Sequence, residues 1–497
     1  MKSKLKRFFS LLLSSAICIT LIACGNNGQG SKTENDSASQ ANTSTGEVKK
    51  VVVAIPAAYD LPDAPEVQQE INKITEKKHG LNFEFMFINT GNWQQQSNLL
   101  LTGDEVDIIA VFATPLSTYV KNGQLADLKE YYANASEDFK KIWTDAELKG
   151  TSIGDKIYAI PNLRNFGNYF GLNIKTEIAQ EFGIEDKQKL TMEEIDAFFD
   201  KVYEKYPDRY MLAPHNIDTI MNQWSWDGLG DTKYLGVLAD RGQSTTVENL
   251  FNTDDFKDFA SWTRKWYQKG YIMQDVLSNT ESARSMIQND KAVSEFDNYG
   301  VNGVAGMIRT VVLEPWSVAN SYSELCYAIN VNAKDKDTAW KAMELLYTDK
   351  EVGILLNNGI ENKHYVHNED GTISFPEGKT ASDVGYGMAD APWSTPYSAL
   401  SYPLDVNGAT FFEDLIKFNK EKTTLSKAFG FSFDISNVVD QYTACSNVMD
   451  KYYKALISGT VDIESTIKQA NSEFEAAGLQ DIIDEKQKQL DEFLKNE

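Results

Sequence analysis

Aromatic rings set beside short polar side chains, in stretches broken by glycine and proline, stand out in this sequence of 497 residues. "AAYDLPD" puts Tyr59 just after a strand-like run, and "NTGNWQQQ" puts Asn89 and Trp93 after another. "NQWSWDGLG" gathers Trp224, Trp226 and Asp227 ahead of two glycines. "FDNYGVNG" offers Asn298 and Tyr299, "LEPWSVANSY" offers Trp316, and "DAPWSTPY" offers Trp393. Arg164 stands between two short strand-like runs in "IPNLRNFG". A sugar ring presents an apolar C–H face and a rim of hydroxyls. Aromatic faces stack on the former, while Asp, Asn and Arg hydrogen-bond the latter. For any one of these rings, core packing is the ordinary role; it is the loop setting that raises the group. Trp262 and Trp266 follow a regular helical pattern and read as packing residues.

Other chemistries find little support. The sequence holds no phosphate-binding Gly-x-x-x-x-Gly-Lys, no Gly-x-Ser-x-Gly and no His-Glu-x-x-His. "GVNGVAG" (300–306) lacks dinucleotide-binding spacing and reads as a loop. His364 and His367 stand three apart but without a cysteine or acid at ligand spacing, so no metal and no cofactor is expected. "HNEDGTISF" reads as a hairpin turning at Asp370-Gly371 rather than as a calcium loop. The 72 acidic residues could contain a catalytic pair, yet no pair is singled out, and no enzyme activity is expected. A net charge of −24, with no basic stripe, argues against nucleic-acid binding.

The N-terminus opens with Lys2, Lys4, Lys6 and Arg7, followed by an apolar run from Leu11 to Ala23. The run is too short to span a bilayer and fits a secretory signal peptide over 1–23. Leu21-Ile22-Ala23-Cys24 resembles the bacterial lipobox, in which the cysteine thiol receives a lipid and becomes the new N-terminus. Residues 25–46 are polar and small; as a flexible tether they would span roughly 25 Å. Cys24 is thus expected to anchor the chain to the outer face of the cell membrane. That leaves Cys326 and Cys445 for the folded body, and these read as two separate buried thiols, a disulfide between them remaining open.

The elements that must position the candidate residues begin near Val48. "VVVAI" (51–55), "LNFEFMFI" (81–88) and "VDIIAVF" (106–112) read as strands separated by helices, which predicts βαβ crossovers. "TMEEIDAFFDKVYEKY" opens with a Thr191–Glu194 capping box and continues at helical period. "SYSELCYAINV" (321–331) reads as a return strand, "DKDTAWKAMELLYTD" as an amphipathic helix, and the C-terminus as helices over about 435–457, 462–477 and 479–495. Crossing segments near 160–172 and 322–330 would join two lobes over a cleft, with ligands at the carboxyl ends of strands.

"NAKDKDTAWKAMELLYTDKEVGILLNNGIENKHYV" (332–366) and the tail 433–494 resemble the sugar-type extracellular solute-binding lipoproteins of ABC transporters, in the subgroup that ends in a domain of unknown function. The resemblance implies an α/β chain with the two-lobed periplasmic-binding-protein fold of type II, cluster type. Each lobe would be a mixed β-sheet flanked by helices, joined by hinge segments, with a helical C-terminal tail. It assigns 48–163 plus 322–365 to the N-terminal lobe and 164–321 plus 366–497 to the C-terminal lobe, after the lipidated linker 24–46. It implies capture of a carbohydrate, an oligosaccharide above all, and delivery to permease subunits by a monomer. Trp93, Trp224, Trp226 and Tyr299 fall in segments that in the family face the cleft. A peptide-binding or other solute-binding lipoprotein, or a lipid-anchored glycoside hydrolase, are the alternatives.

Overall fold

The computed structural model describes residues 47–215, 218–298, 300, 301, 304 and 306–495. All of them belong to one compact unit, Ser44–Glu497. Cys24, its flanking leader and tether, and Tyr299 lie outside the described residues. Among the described residues no helix is long and apolar enough to cross a membrane.

The first lobe starts with β1 (Lys49–Ala57), α1 (Ala64–His79), β2 (Leu81–Asn89), α2 (Trp93–Leu100), β3 (Ile108–Phe112) and α3 (Leu116–Lys121). The Val/Ile-rich strands are buried on both faces, as expected where helices cover a parallel sheet. Helix α1 has Pro in its first turn, buries Val67 and Ile71, and stops at Gly80, which is left-handed. β1 pairs in parallel with both β2 and β3. The chain then reaches a short strand, β4 (Ile160–Pro161), and crosses into the second lobe along β5 (Asn168–Lys175).

The second lobe contains α4 (Met192–Lys205), α5 (Asp254–Lys269), α6 (Ala283–Gln288), β6 (Ser294–Asp297) and β7 (Met307–Ser317). The Thr191–Glu194 capping box is formed at the start of α4. The chain recrosses to β8 (Leu325–Ile329), α7 (Lys336–Thr348) and α8 (Lys350–Asn358). α9 (Phe411–Lys417) precedes β9 (Thr424–Leu425) and the tail helices α10 (Val439–Ile457), α11 (Ile463–Ala477) and α12 (Leu479–Lys495). The first sheet has the order β2-β1-β3-β8-β4 and the second the order β9-β7-β5-β6. β8 is antiparallel to β3 and β4, and β5 is antiparallel to β6 and β7, so both sheets are mixed.

Two separate apolar cores mark the lobes. One holds Val53, Ile109, Trp93, Tyr327 and Trp340; the other holds Leu172, Phe199, Trp226, Trp266 and Leu456. Cys326 lies in the first and Cys445 in the second, both as free thiols, which rules out a pair between them. The hairpin Val366–His367 with Ile373–Ser374 forms around Asp370-Gly371.

Two expectations are corrected. Residues 386–415 do not belong to the second lobe: Tyr386, Met388, Phe411, Phe412 and Leu415 are packed in the first core. The chain therefore crosses between the lobes a third time, at 418–424, from α9 to β9. Asn419 ties this third crossing to the first: its Oδ1 accepts from Phe166 N at 3.0 Å and its Nδ2 donates to Arg164 O at 2.7 Å.

The tail is integral to the second lobe. Met449, Leu456, Phe474, Ile482 and Leu490 share its core. Lys486 is fully buried, with Nζ 3.0 Å from Asp231 and 2.8 Å from the Gly236 carbonyl oxygen. Asp231 also accepts from Tyr442 Oη and Leu235 N, so this buried charge pair is satisfied on both sides.

Candidate functional site

Between the lobes lies a cavity of about 500 Å³, lined by residues of the first crossing and by Phe411 and Leu415 just before the third. Its first-lobe wall includes Ala389, Asp390, Pro392 and Trp393, which lean on the carboxyl ends of β1 and β3 through Tyr59 and Phe112. Tyr59 follows β1 and donates its hydroxyl proton to the Asp390 carboxylate. Burial and then that carboxylate push the Tyr59 phenol up to about 12, so it is a donor at every physiological pH. Asp390 ends a 3-10 turn (Met388–Asp390), and Trp393 sits in the next one (Pro392–Ser394). The Trp393 ring leans on Phe112, the last residue of β3, at 6.0 Å between centroids. Asn162, leaving β4, donates to the Trp393 carbonyl and so fixes the turn against the first crossing.

Arg164 and Asn165 form the floor. Arg164 donates to the Ser321 carbonyl and lies 2.9 Å from Glu324, which joins the first crossing to the second. Its guanidinium also stands 5.5 Å from the Phe166 ring centroid. Asn165 Oδ1 accepts from Val301 N at 3.2 Å. A Cβ on Gly300 would stand 1.8 Å from that same oxygen, so only glycine permits this approach.

The second-lobe wall is made by Arg284, on α6, and Val304. Arg284 is exposed, and its charge reaches Tyr59 across the gap, opposing the rise in that phenol. Behind it, Glu295 is buried beside Asp297. Burial and the neighbouring carboxylate push Glu295 up to about 7, while Arg284 and Arg309 pull the other way. Asp297 is held by Asn173 and by Arg309 at 2.9 Å.

The structure brings Arg164 and Trp393 to one cavity, sets Tyr59 behind its Asp390 wall, and leaves the other expected residues elsewhere. Trp93, Trp226 and Trp316 are core residues, with exposures of 0%, 0% and 1%; the expectations that all three contact ligand and that Trp93 and Trp226 face the cleft are corrected. Trp93 backs Phe112, Trp226 meets Tyr234 and Phe256, and Trp316 stacks on Phe170. Trp224 packs on Phe170, Phe259 and Phe296 and shows only an edge, in a surface depression beside Asp240 and Arg241. Asp227 is fully buried and accepts from Leu229 N and Ala319 N, both at 2.8 Å, a loop-fixing role. Asn89 is exposed and caps the turn after β2 by accepting from Gly91 N. Asn298, half-buried, leads from β6 toward the Gly300 contact.

Asp390, Asn165 and Arg284 escape sequence reasoning. Asp390 and Asn165 lie in the same polar stretches as Trp393 and Arg164, but Arg284 lies in an ordinary helix and reaches the cavity only through topology. His364 is tied into the first lobe: Nδ1 accepts from Ile360 N at 2.9 Å, and Nε2 faces Asp63 at 3.2 Å. A larger cavity, of about 730 Å³, lies against the tail. Its lining holds neither tryptophan nor arginine, whereas the smaller cavity has Trp393, Arg164 and Arg284, so the smaller cavity is the better candidate for ligand chemistry.

Comparison with known proteins places this geometry. Residues 427–495 match the family model described as a domain of unknown function, DUF3502. The whole chain is 25% identical to the whole of a carbohydrate ABC transporter substrate-binding protein of Streptococcus pneumoniae serotype 4 (strain ATCC BAA-334 / TIGR4). It is 22% identical over 397 residues to lipoprotein LipO of Bacillus subtilis (strain 168), covering 72% of this chain and 76% of LipO. Among solved structures, the N-glycan transport solute binding protein NgtS of Streptococcus pneumoniae superposes with a TM-score of 0.77 at 23% identity, covering 90% of this chain and 99% of that one. NgtS in complex with Man1GlcNAc superposes with a TM-score of 0.69. The chain therefore has the two-lobed fold of the solute-binding proteins, mixed sheets flanked by helices, and ends in a DUF3502 domain.

Proposed function

We propose that this chain is the extracytoplasmic substrate-binding lipoprotein of an ABC importer, and that it captures an oligosaccharide between its lobes. The observation that carries the proposal is the inter-lobe cavity in which Trp393 accompanies Arg164, Arg284 and Asp390, the last held by Tyr59. A half-exposed indole offers a face for a sugar ring, and the two guanidiniums and the carboxylate offer donors and acceptors for hydroxyls. A volume of about 500 Å³ lies in the range of small-ligand sites and suits several sugar units with part of the chain outside. The names of the relatives support the same class: one is a carbohydrate transporter component, and another binds Man1GlcNAc. Ligand favours the closed state in proportion to its extra contacts there, and the closed form is what a permease would take up.

Anchoring through a lipid on Cys24 completes the reading, with the lipoprotein name of a relative in support. The chain works as a monomer, and its cycle is binding and release without a covalent step.

A thermal-shift screen of purified protein against oligosaccharides, monosaccharides and peptides tests the proposal. A ligand that binds only the native state raises Tm by mass action. The expected result is a rise with one class of oligosaccharide, recovered chemically unchanged, and a loss of tenfold or more in affinity in Trp393→Ala. A rise with peptides alone, or cleavage of the glycan, would replace the reading with one of its alternatives.

A further inference from the structure

The larger cavity and the tail together carry a second role. In the second sheet the strands that enter the first two crossings, β5 and β7, are central, flanked by β6 on one side and β9 on the other. The candidate cleft opens at the β6 side, where Arg284 and Val304 face the first lobe. At the β9 side, the chain leaving β9 and helix α12 face Leu116, Ser117 and the 149–155 segment of the first lobe across the cavity of about 730 Å³. The two cavities share no residue; the second-lobe lining of one comes from α6 and the chain between β6 and β7, that of the other from the chain after β9, the opposite edge strand, and from α12.

Across this second gap the lobes already touch. Lys121, at the end of α3, places Nζ 2.8 Å from the Asp434 carboxylate and also donates to Ser436 Oγ. Asp434 is held in place by Gln489 of α12, through paired bonds of 3.0 and 2.9 Å. Gly430, left-handed at φ 89, lies so near Lys149 that a Cβ would stand 3.0 Å from its carbonyl oxygen. Every second-lobe residue in these contacts lies within the DUF3502 region, 427–495.

We propose that the C-terminal region is a brake on closure: its contact with Lys121 holds the lobes apart on one side of the hinge and so keeps the cleft open on the other. Rotation about the central strands that draws Arg284 toward Tyr59 and Asp390 swings the β9 side away from α3. The Lys121–Asp434 pair must then part. The brake rests on the reading of the smaller cavity as the cleft that closes. Apparent affinity scales with the fraction of molecules able to close, so weakening the brake tightens binding.

The pair is solvent-exposed, with side-chain exposures of 54% and 45%, so its effect is modest. Lys121→Ala and Asp434→Asn should each raise the ligand-free closed fraction two- to fivefold. Single-molecule energy transfer reads that fraction directly, with dyes on Leu99→Cys and Leu277→Cys in the full chain carrying Cys18→Ser and Cys24→Ser. Leu99 and Leu277 are exposed in opposite lobes, and the native Cys326 and Cys445 are buried. The charge-exchanged double variant, Lys121→Glu with Asp434→Lys, should return the fraction to its starting value. Affinity for Man1GlcNAc should rise in the single variants by the same factor. A closed fraction that rises while no glycan binds supports the brake and removes the oligosaccharide reading. A fraction unchanged or lowered in both single variants, or a double variant no closer to the parent than either, overturns the brake.

Discussion

Glu295, Trp393 and Trp226 separate binding from stability at the level of single residues. Glu295 is buried with its carboxyl pushed up to about 7, against an ordinary value of 4.5. A folded-state value above the unfolded one favours the protonated folded protein. That contribution is full below about pH 4.5 and is lost as pH rises through 7. Glu295→Gln should therefore be more stable than the parent at pH 8, by about 1–3 kcal/mol, with the gap shrinking at pH 5. Urea titrations at the two pH values check it; an equal gap at both would contradict the assignment. Trp226→Ala should cost about 3–5 kcal/mol in stability, because its ring fills the second core. Trp393→Ala should barely move Tm while lowering affinity. The sequence suggested both tryptophans as ligand contacts. Local composition cannot tell them apart, because burial is decided by what arrives from elsewhere: Phe256 and Tyr234 enclose Trp226, while Trp393 keeps an open side.

Elements with a period were legible and elements without one were not. The alternating strands and helices of 48–112, the Thr191–Glu194 cap and the three tail helices all carry local signals, and all form near their expected positions. The stretch 376–410 is built from short 3-10 turns with no repeating apolar pattern, so its return to the first lobe could not be read. The same holds for the third crossing, which depends on Asn419 finding Phe166 and Arg164. Helices α10 to α12 belong to the second core and anchor it through the buried Lys486–Asp231 pair. Truncation after residue 426 should accordingly yield an aggregated chain rather than a smaller binding protein. Lys486→Ala should destabilise by about 3–5 kcal/mol, because it leaves Asp231 buried without its partner. A truncated chain that unfolds cooperatively at the parental Tm would contradict this account of the tail.

At the scale of the whole molecule, two cores joined by three crossings, with a cleft on one side and a contact-holding cavity on the other, make a body suited to capture by closure. The α/β alternation indicated the class of fold, and the resemblance of residues 332–366 and 433–494 indicated the family likeness. Trp393 was legible as a candidate contact, but its placement with Asp390 opposite Arg284 emerged only from the packing. The lipid tether expected at Cys24 would keep such a body within reach of a membrane permease. The most direct test is the radius of gyration by small-angle X-ray scattering, with and without the oligosaccharide that raises Tm most. The account predicts a smaller radius with the glycan in the parent chain and no change in Trp393→Ala at the same concentration. A glycan that binds tightly while the radius stays the same, or that compacts the Trp393→Ala chain as fully as the parent, would contradict it.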